Sequence, residues 1–332
     1  MRAWIVPAGC TDAAGLRQVE KPDPVAGPGQ IVVRVRAASL NYRDQAVVRG
    51  QYFGGAVPRD LVPASDAAGD VASVGAGVTS VAIGDRVAGT FFQPTPSGPA
   101  ALGSPLDGVL SEYAVLADGG VVRLPEPVHH EVAACLPCAG VTAWHALFGV
   151  GRPIAPGDTV LVLGTGGVSM LALQLARAAG ARVIVTSSSD DKLDRALTLG
   201  ATDGINYART PEWDREVVRI TGGRGVDCVV EIGGAGTLGR SYQSLARGGK
   251  VALIGFLAGP QGDTAPHPLM LKAGQLHGIF VGDRPMFEAL LRAVAFNRIA
   301  PPIDRVFAFG EVPAAYAYQA ARNFVGKIVI RF

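Results

Sequence analysis

The spacing of apolar residues changes character along the chain. Through residue 125 they fall in short, strand-length runs separated by glycine and proline. The chain opens with MRAWIV, residues 30–36 (QIVVRVR) alternate in part, and residues 69–75 (GDVASVG) lead through a Gly-Val-Thr turn to residues 84–88 (GDRVA). Strand-length runs with glycine breaks and little helical periodicity predict a small barrel-like β domain. Residues 93–108, QPTPSGPAALGSPLDG, form a Pro/Gly/Ser-rich loop, either a lid or a mobile surface connection.

From residue 131 the period becomes helical. EVAACLPCAGVTAWHALF reads as one or two packed helices, ended by Gly-Arg-Pro at 151–153. Strands and helices then alternate. A continuous apolar run at 160–163 (VLVL) stops at Gly164-Thr165-Gly166-Gly167, after which residues 168–179 carry Leu171, Leu175 and Ala178 at helical spacing. A second buried strand, 182–185, follows Gly180. Further strands near 204–206 and at 226–231, 250–255 and 276–281, with helices at 213–220, 238–245 and 286–296, predict a doubly wound parallel sheet with helices on both faces. The tail, with a last strand at 327–330, is expected to return to the N-terminal domain and close a cleft. Two domains follow: residues 1–125 with 282–332, and residues 126–281.

Composition narrows the class without naming a chemistry. Of 332 residues, 48% are hydrophobic and 17% charged, a globular composition with long buried strands rather than a disordered one. The net charge is +2, and no stripe of lysine and arginine supports binding to nucleic acid or an anionic membrane. The N-terminus lacks the pattern of a signal peptide, and no apolar run approaches the ~20 residues of a membrane span. Cys10, Cys135, Cys138 and Cys228 do not look like a disulfide framework, so a reducing, cytoplasmic setting is expected.

Residues 158–192 concentrate the candidate chemistry. Strand, glycine turn, helix and strand span the length of a parallel crossover. Such a turn lets a pyrophosphate approach the backbone, and the helix N-terminus offers it amide groups and the positive end of a dipole. The glycine pattern is imperfect, because Ser169 stands at the last position of G-x-G-x-x-G. The strand before and the helix after favour dinucleotide binding over an ordinary glycine-rich surface turn.

Several stretches together carry a resemblance over essentially the whole chain: SLNYRD with the later GQY, SDAAGDVASVGAGVTSVAIGDRV, CAGVTAW, LGTGGVS, TDGINY and the terminal GKIVI. In this the chain resembles the medium-chain dehydrogenase/reductase superfamily, and within it the zinc-free quinone oxidoreductase (zeta-crystallin-like) branch or its neighbours loosely described as alcohol dehydrogenases. The resemblance implies a GroES-like β-rich barrel domain, a Rossmann domain, and a homodimer formed through the strand at 276–281. Zinc alcohol dehydrogenases of the superfamily hold their metal with a cysteine, a His-Glu pair and a second cysteine. At the corresponding places this chain has Asn41, Ser65-Asp66 and Cys138, and the four-cysteine structural zinc lobe is absent. A catalytic zinc needs three N, S or carboxylate donors and an open position. Cys135-Leu-Pro-Cys138 could be a redox pair or two buried structural cysteines, the latter favoured. His129-His130-Glu131 reads as a helix start rather than a metal site.

NAD-binding members usually place an acidic residue at the end of the second strand, on the ribose hydroxyls. Here Ser187 occupies that position, within Ser187-Ser188-Ser189, with Lys192 just beyond. A carboxylate about 4 Å from a 2′-phosphate would cost about 4 kcal/mol at an effective dielectric near 20. Its absence, with hydroxyls and an ammonium nearby, favours NADPH over NADH. Asp190 and Asp191 read as helix caps. The resemblance adds Tyr207 as a phosphate or adenosine contact. It also places Asn41 near the nicotinamide ribose, Thr142 near the ring, and Phe256 and Val281 along the same cleft. Gly164, Gly166, Gly167 and Val168 line the pyrophosphate.

Without zinc, hydride would pass to a quinone or an α,β-unsaturated carbonyl, whose conjugation puts developing charge on an oxygen that hydrogen-bond donors stabilise. Tyr42 and Tyr52 are candidate proton donors, with Arg43 and Asp66 behind them, and solvent is an alternative source. Tyr52 reads equally as packing. Two other functions stand beside this one: a zinc alcohol dehydrogenase with an unusual ligand set including Cys138, and a non-catalytic NADPH-binding sensor or structural protein.

Overall fold

The structure, a computed structural model, describes residues 1–259 and 261–332. The chain divides into two compact units, Met1–Ala139 with Asp283–Phe332, and Gly140–Gly282. The sequence had suggested divisions at 125/126 and 281/282. Residues 126–139 fall in the first unit because their helix, His130–Ala134, is tied there: Ser39 Oγ donates to Ala134 O at 2.7 Å, and Arg331 pairs with Glu131.

In the first unit nine strands come before the second unit. They are β1 (Arg2–Ile5), β2 (Arg17–Glu20), β3 (Gln30–Leu40), β4 (Asp66–Val74), β5 (Arg86–Gly89), β6 (Phe92–Gln93), β7 (Ala100–Ala101), β8 (Tyr113–Ala117) and β9 (Val121–Arg123). The second unit holds β10 (Thr159–Leu163), β11 (Arg182–Ser187), β12 (Asp203–Asn206), β13 (Val226–Glu231), β14 (Leu245–Leu253) and β15 (Gln275–Gly278). The returning tail adds β16 (Ile303–Ala308) and β17 (Lys327–Arg331) to the first unit.

The first unit's main sheet runs β16-β17-β3-β4-β5-β9, with β8 also paired to β3. β3 is long enough to serve several partners, and its register shifts against β4 between Val32 and Val33 and between Val35 and Ala37. Irregularities of this kind bend a strand and help a sheet to curl. The core beneath gathers Ile31, Val33, Val35, Leu40, Val71, Leu110 and Ile328. β17 joins β3 antiparallel with Ile328 opposite Leu40, so the next rung sets Lys327 against Asn41.

The second unit's sheet has the order β12-β11-β10-β13-β14-β15, every pairing parallel. This is the doubly wound order of a Rossmann domain, whose ligands bind beyond the carboxyl ends of the strands where the winding reverses. Here the reversal lies between β10 and β13. All five side chains of β10 are buried, as expected of a strand covered on both faces. Residues 136–149 wind partly as π-helix, interrupted by the short α-helix Val141–Trp144. Among the described residues, no helix is long and apolar enough to cross a membrane.

Candidate functional site

In the second unit the glycine turn joins β10 to the helix Gly167–Ala178. Gly164 has a φ of +69°, a conformation that costs an L side chain about 1 kcal/mol or more. No side chain caps the helix at Gly166, and a Cβ built there would meet nothing within 4 Å. The turn is therefore open above the first amide groups of the helix, a cradle that fits a pyrophosphate. Ser169, where a third glycine is usual, is fully buried and donates through Oγ to Leu163 O at 2.6 Å. The serine thus ties the helix to the last carbonyl of the strand.

β11 ends at Ser187, which is 4% exposed. Its Oγ accepts from Ser189 N at 3.3 Å and its carbonyl from Tyr207 N at 2.9 Å, so Ser187 and Tyr207 are brought together. Ser188 is exposed, Tyr207 is largely exposed, and Lys192 is half-buried in the first turn of the helix Asp190–Thr198. The structure adds Arg209, whose Nη2 lies 2.5 Å from Asp190 Oδ1, while Asn206 Nδ2 donates to the same oxygen at 2.9 Å. Arg209 follows Tyr207 by two residues, and that proximity was the one available signal.

Beyond β13 a second turn is held by a carboxylate that the sequence did not single out. Glu231, fully buried, accepts from Gly233 N at 2.6 Å, Gly234 N at 3.1 Å, Thr237 Oγ1 at 2.6 Å and Ser241 Oγ. Four donors satisfy an anion that burial would otherwise penalise heavily. Phe256 packs close to this turn, near enough that a Cβ on Gly234 would meet its ring at 2.9 Å, yet its side chain is 64% exposed. Val281, by contrast, is buried and has a φ of +55°. Thr142 is buried on the helix Val141–Trp144.

In the first unit, Asn41 precedes the helix Tyr42–Val48, and its backbone N–H donates to Asp44 Oδ2 at 2.7 Å. Lys327, 2% exposed, sends its ammonium to Leu40 O at 2.8 Å and Asn41 Oδ1 at 2.5 Å. Asn41 Nδ2 lies 3.5 Å from Ser65 Oγ, Ser65 Oγ donates to Asp66 Oδ1 at 2.6 Å, and Asp66 Oδ2 accepts from Cys138 N at 3.0 Å. The structure therefore links Asn41, Ser65, Asp66 and the Cys138 backbone in one hydrogen-bonded chain that ends on a buried cation. Burial, reinforced by Asp66, pushes the Cys138 thiol far above its ordinary range, and burial pushes that of Cys135 up to about 12. Both are thiols rather than thiolates near neutral pH.

Arg43 and Asp44 lie beneath this cluster. Burial raises the Asp44 carboxyl to about 6, against the opposing pull of Arg43. The Arg43 guanidinium sits between two rings, its Cζ 4.7 Å from the centroid of Tyr52 and 5.0 Å from that of Phe91. It donates to Leu102 O at 2.8 Å and Ser104 O at 3.1 Å. Tyr52 is thus a stacking partner of Arg43, whereas Tyr42 is 57% exposed. The loop expected as a lid or a mobile connection is fastened along its second half: β7 pairs with β6, Arg43 holds Leu102 and Ser104, and Gly108 lies so close to Ala64 that a Cβ would meet its carbonyl oxygen at 2.0 Å.

Two family models match along the chain: the alcohol dehydrogenase GroES-like domain over residues 27–126 and the zinc-binding dehydrogenase domain over residues 167–295. A zinc-type alcohol dehydrogenase-like protein of Schizosaccharomyces pombe is 42% identical over 320 residues, covering 92% of this chain and 91% of its own. The chain belongs to the medium-chain dehydrogenase/reductase superfamily. Its fold is accordingly a GroES-like domain with a Rossmann domain. A solved putative alcohol dehydrogenase from Sinorhizobium meliloti matches over the full length of both chains at 44% identity and a TM-score of 0.88. Two mycobacterial structures also match over their full length at a TM-score of 0.84: a quinone oxidoreductase at 29% identity and a protein complexed with NADPH at 28%.

Proposed function

We propose that this superfamily member is an NADPH-dependent reductase of quinones or α,β-unsaturated carbonyls that works without zinc. One observation carries the reading: the four positions where zinc-dependent relatives place metal ligands are here tied into one hydrogen-bonded chain that ends on the Lys327 ammonium. The donors do not fit a catalytic zinc. Asn41 Oδ1 is taken by the ammonium, Ser65 Oγ donates to Asp66, and Asp66 Oδ2 accepts from Cys138 N. A zinc site needs a thiolate, imidazole or carboxylate at each of three positions, and a fixed positive charge beside them opposes a second one.

The cradle at Gly164, Gly166, Gly167 and Val168 would hold the pyrophosphate. Ser187, Ser188, Lys192 and Tyr207 would take the 2′-phosphate end, with Arg209 as a further cation. Asn41 would meet the nicotinamide ribose, and Thr142, Phe256 and Val281 the ring. When bound, the nicotinamide supplies a hydride. Addition of that hydride to a conjugated acceptor leaves negative charge on its oxygen, and a proton completes the reduction. Arg43 offers a positive charge close to Tyr52, a pairing suited to stabilising that oxygen and to passing a proton from the phenol. Tyr42 is the second candidate donor and solvent the third.

The mycobacterial quinone oxidoreductase and the NADPH complex among the matched structures support the acceptor class and the nucleotide. We also propose a homodimer through β15, an edge strand on which Leu276 and nearby Phe280 are exposed by 40% and 53%. The test is NADPH oxidation by pure protein against a panel of quinones and enones, with metal analysis of the same preparation. Turnover with much less than stoichiometric zinc is expected. Activity that tracks zinc content would replace this reading with the zinc alcohol dehydrogenase, and tight NADPH binding with no acceptor turned over would replace it with a non-catalytic sensor.

A further inference from the structure

We infer that Lys327 is a positioning residue: its buried ammonium fixes the orientation of the Asn41 carboxamide and so presents the amide N–H groups to the nicotinamide ribose. This rests on the cofactor role proposed above for Asn41. The ammonium carries donors only, so the oxygen of Asn41 must face it and the nitrogen must face away. The 2.5 Å contact to Oδ1 and the 2.8 Å contact to Leu40 O leave the ammonium committed within its own unit, 2% exposed. A charge-assisted bond of this kind is roughly twice as strong as a neutral one. On its other side the amide is held loosely, with Nδ2 3.5 Å from Ser65 Oγ. The Nδ2 group therefore keeps donor capacity for a hydroxyl, in an orientation that Lys327 sets and the longer Ser65 contact supports.

The cation bonded to Asn41 is carried by the last strand. Asp44 and Asp66 are buried beside Asn41, and Arg43 and Lys327 balance them. Lys327 arrives from 286 positions away through the β17–β3 register, which sets Ile328 opposite Leu40. Removing the ammonium frees the carboxamide to rotate by half a turn and present its oxygen instead.

The experiment is a double-mutant cycle read in nucleotide affinity and in the split between kcat and KM for the nucleotide. Wild type, Lys327→Met, Asn41→Ala and the double variant are titrated with NADPH and with NADH, and each is checked by thermal unfolding. Lys327→Met is expected to weaken binding severalfold, up to about tenfold, because the bond lost to the ribose is a neutral amide–hydroxyl one. Asn41→Ala should lose a similar amount, and the double variant no more than the larger single loss. Lys327→Gln, which still offers an N–H to Oδ1, should recover part of the affinity and serves as the comparison if Lys327→Met fails to fold. Additive losses overturn the inference, as does a Lys327→Met protein that is less stable but binds as wild type does. Wild type binding NADH alone overturns the choice of nucleotide while the cycle is still read with NADH. Wild type binding neither overturns the functional reading itself.

Discussion

His145 Nδ1 lies 2.6 Å from the carbonyl oxygen of Val281, a β-branched residue held at a φ of +55°. Val281 is 5% exposed, so its neighbours fix both its burial and its backbone. A non-glycine residue in this region costs on the order of 1–3 kcal/mol and persists only where the surroundings over-determine it. The imidazole supplies part of that constraint by donating to the carbonyl.

Replacing His145 with Phe keeps a ring of similar bulk and removes the donor. A buried carbonyl left without a partner costs about 1–3 kcal/mol. Urea unfolding of His145→Phe should show a loss in that range. Unchanged stability would mean that the histidine only fills space and that Val281 is held by packing alone.

Ser169 invites the opposite expectation from its motif, where glycine is usual. Because its Oγ bonds Leu163 O from a fully buried site, restoring glycine should destabilise. Ser169→Ala loses the hydrogen bond, about 1 kcal/mol, and Ser169→Gly adds about 0.5–1 kcal/mol of backbone entropy in a helix. Thermal or denaturant unfolding should rank wild type above Ala above Gly. A Ser169→Gly protein as stable as wild type would show that the serine is incidental.

What could be read in the sequence follows from which contacts are local. The parallel sheet was legible because strands buried on both faces are nearly continuous apolar runs, as in residues 160–163, and because the glycine turn lies between two of them. The Asn41 cluster was legible only as a set of positions carried by resemblance, since its central cation is 286 residues away and is delivered by the register of an antiparallel pair. The winding at 136–149 departs from the expected helices because its π-helical turns change the period on which a helical pattern is read. β16 was missed since its burial scarcely alternates, with Phe307 its single buried residue. Residues 130–134 are held to the first unit's sheet by tertiary bonds from Ser39 on β3 and Arg331 on β17, which no local pattern announces.

Ser187→Asp tests the nucleotide assignment. Ser187 stands at the end of β11 beside Tyr207, the place where a carboxylate would meet either ribose hydroxyls or a 2′-phosphate. At about 4 Å and an effective dielectric near 20, the repulsion from a phosphate charge is about 4 kcal/mol. NADPH affinity should fall by at least a hundredfold, roughly 2.7 kcal/mol after screening, and NADH affinity much less. Equal losses for the two nucleotides would place the 2′-phosphate elsewhere.

Asp44 makes stability depend on pH in a direction that can be worked out. Burial raises its carboxyl to about 6 in the folded chain, above the ordinary aspartate value of about 3.9 in the unfolded one. The folded state therefore binds more protons between those two values, and stability falls as pH rises through that window. The contribution is fully present below pH ~4 and lost above pH ~6, with a span of about 2–3 kcal/mol at 1.36 kcal/mol per unit. Other carboxylates titrate over the same range, so the clean measurement is the difference between Asp44→Asn and wild type. Asparagine keeps an oxygen able to accept from Asn41 N and has no charge to bury. Relative to wild type, Asp44→Asn should gain stability steadily from pH 4 to pH 7 in denaturant unfolding, by up to that span. A difference that stays flat with pH would mean Asp44 is ionised throughout, held by Arg43 and Lys327 more firmly than its burial opposes.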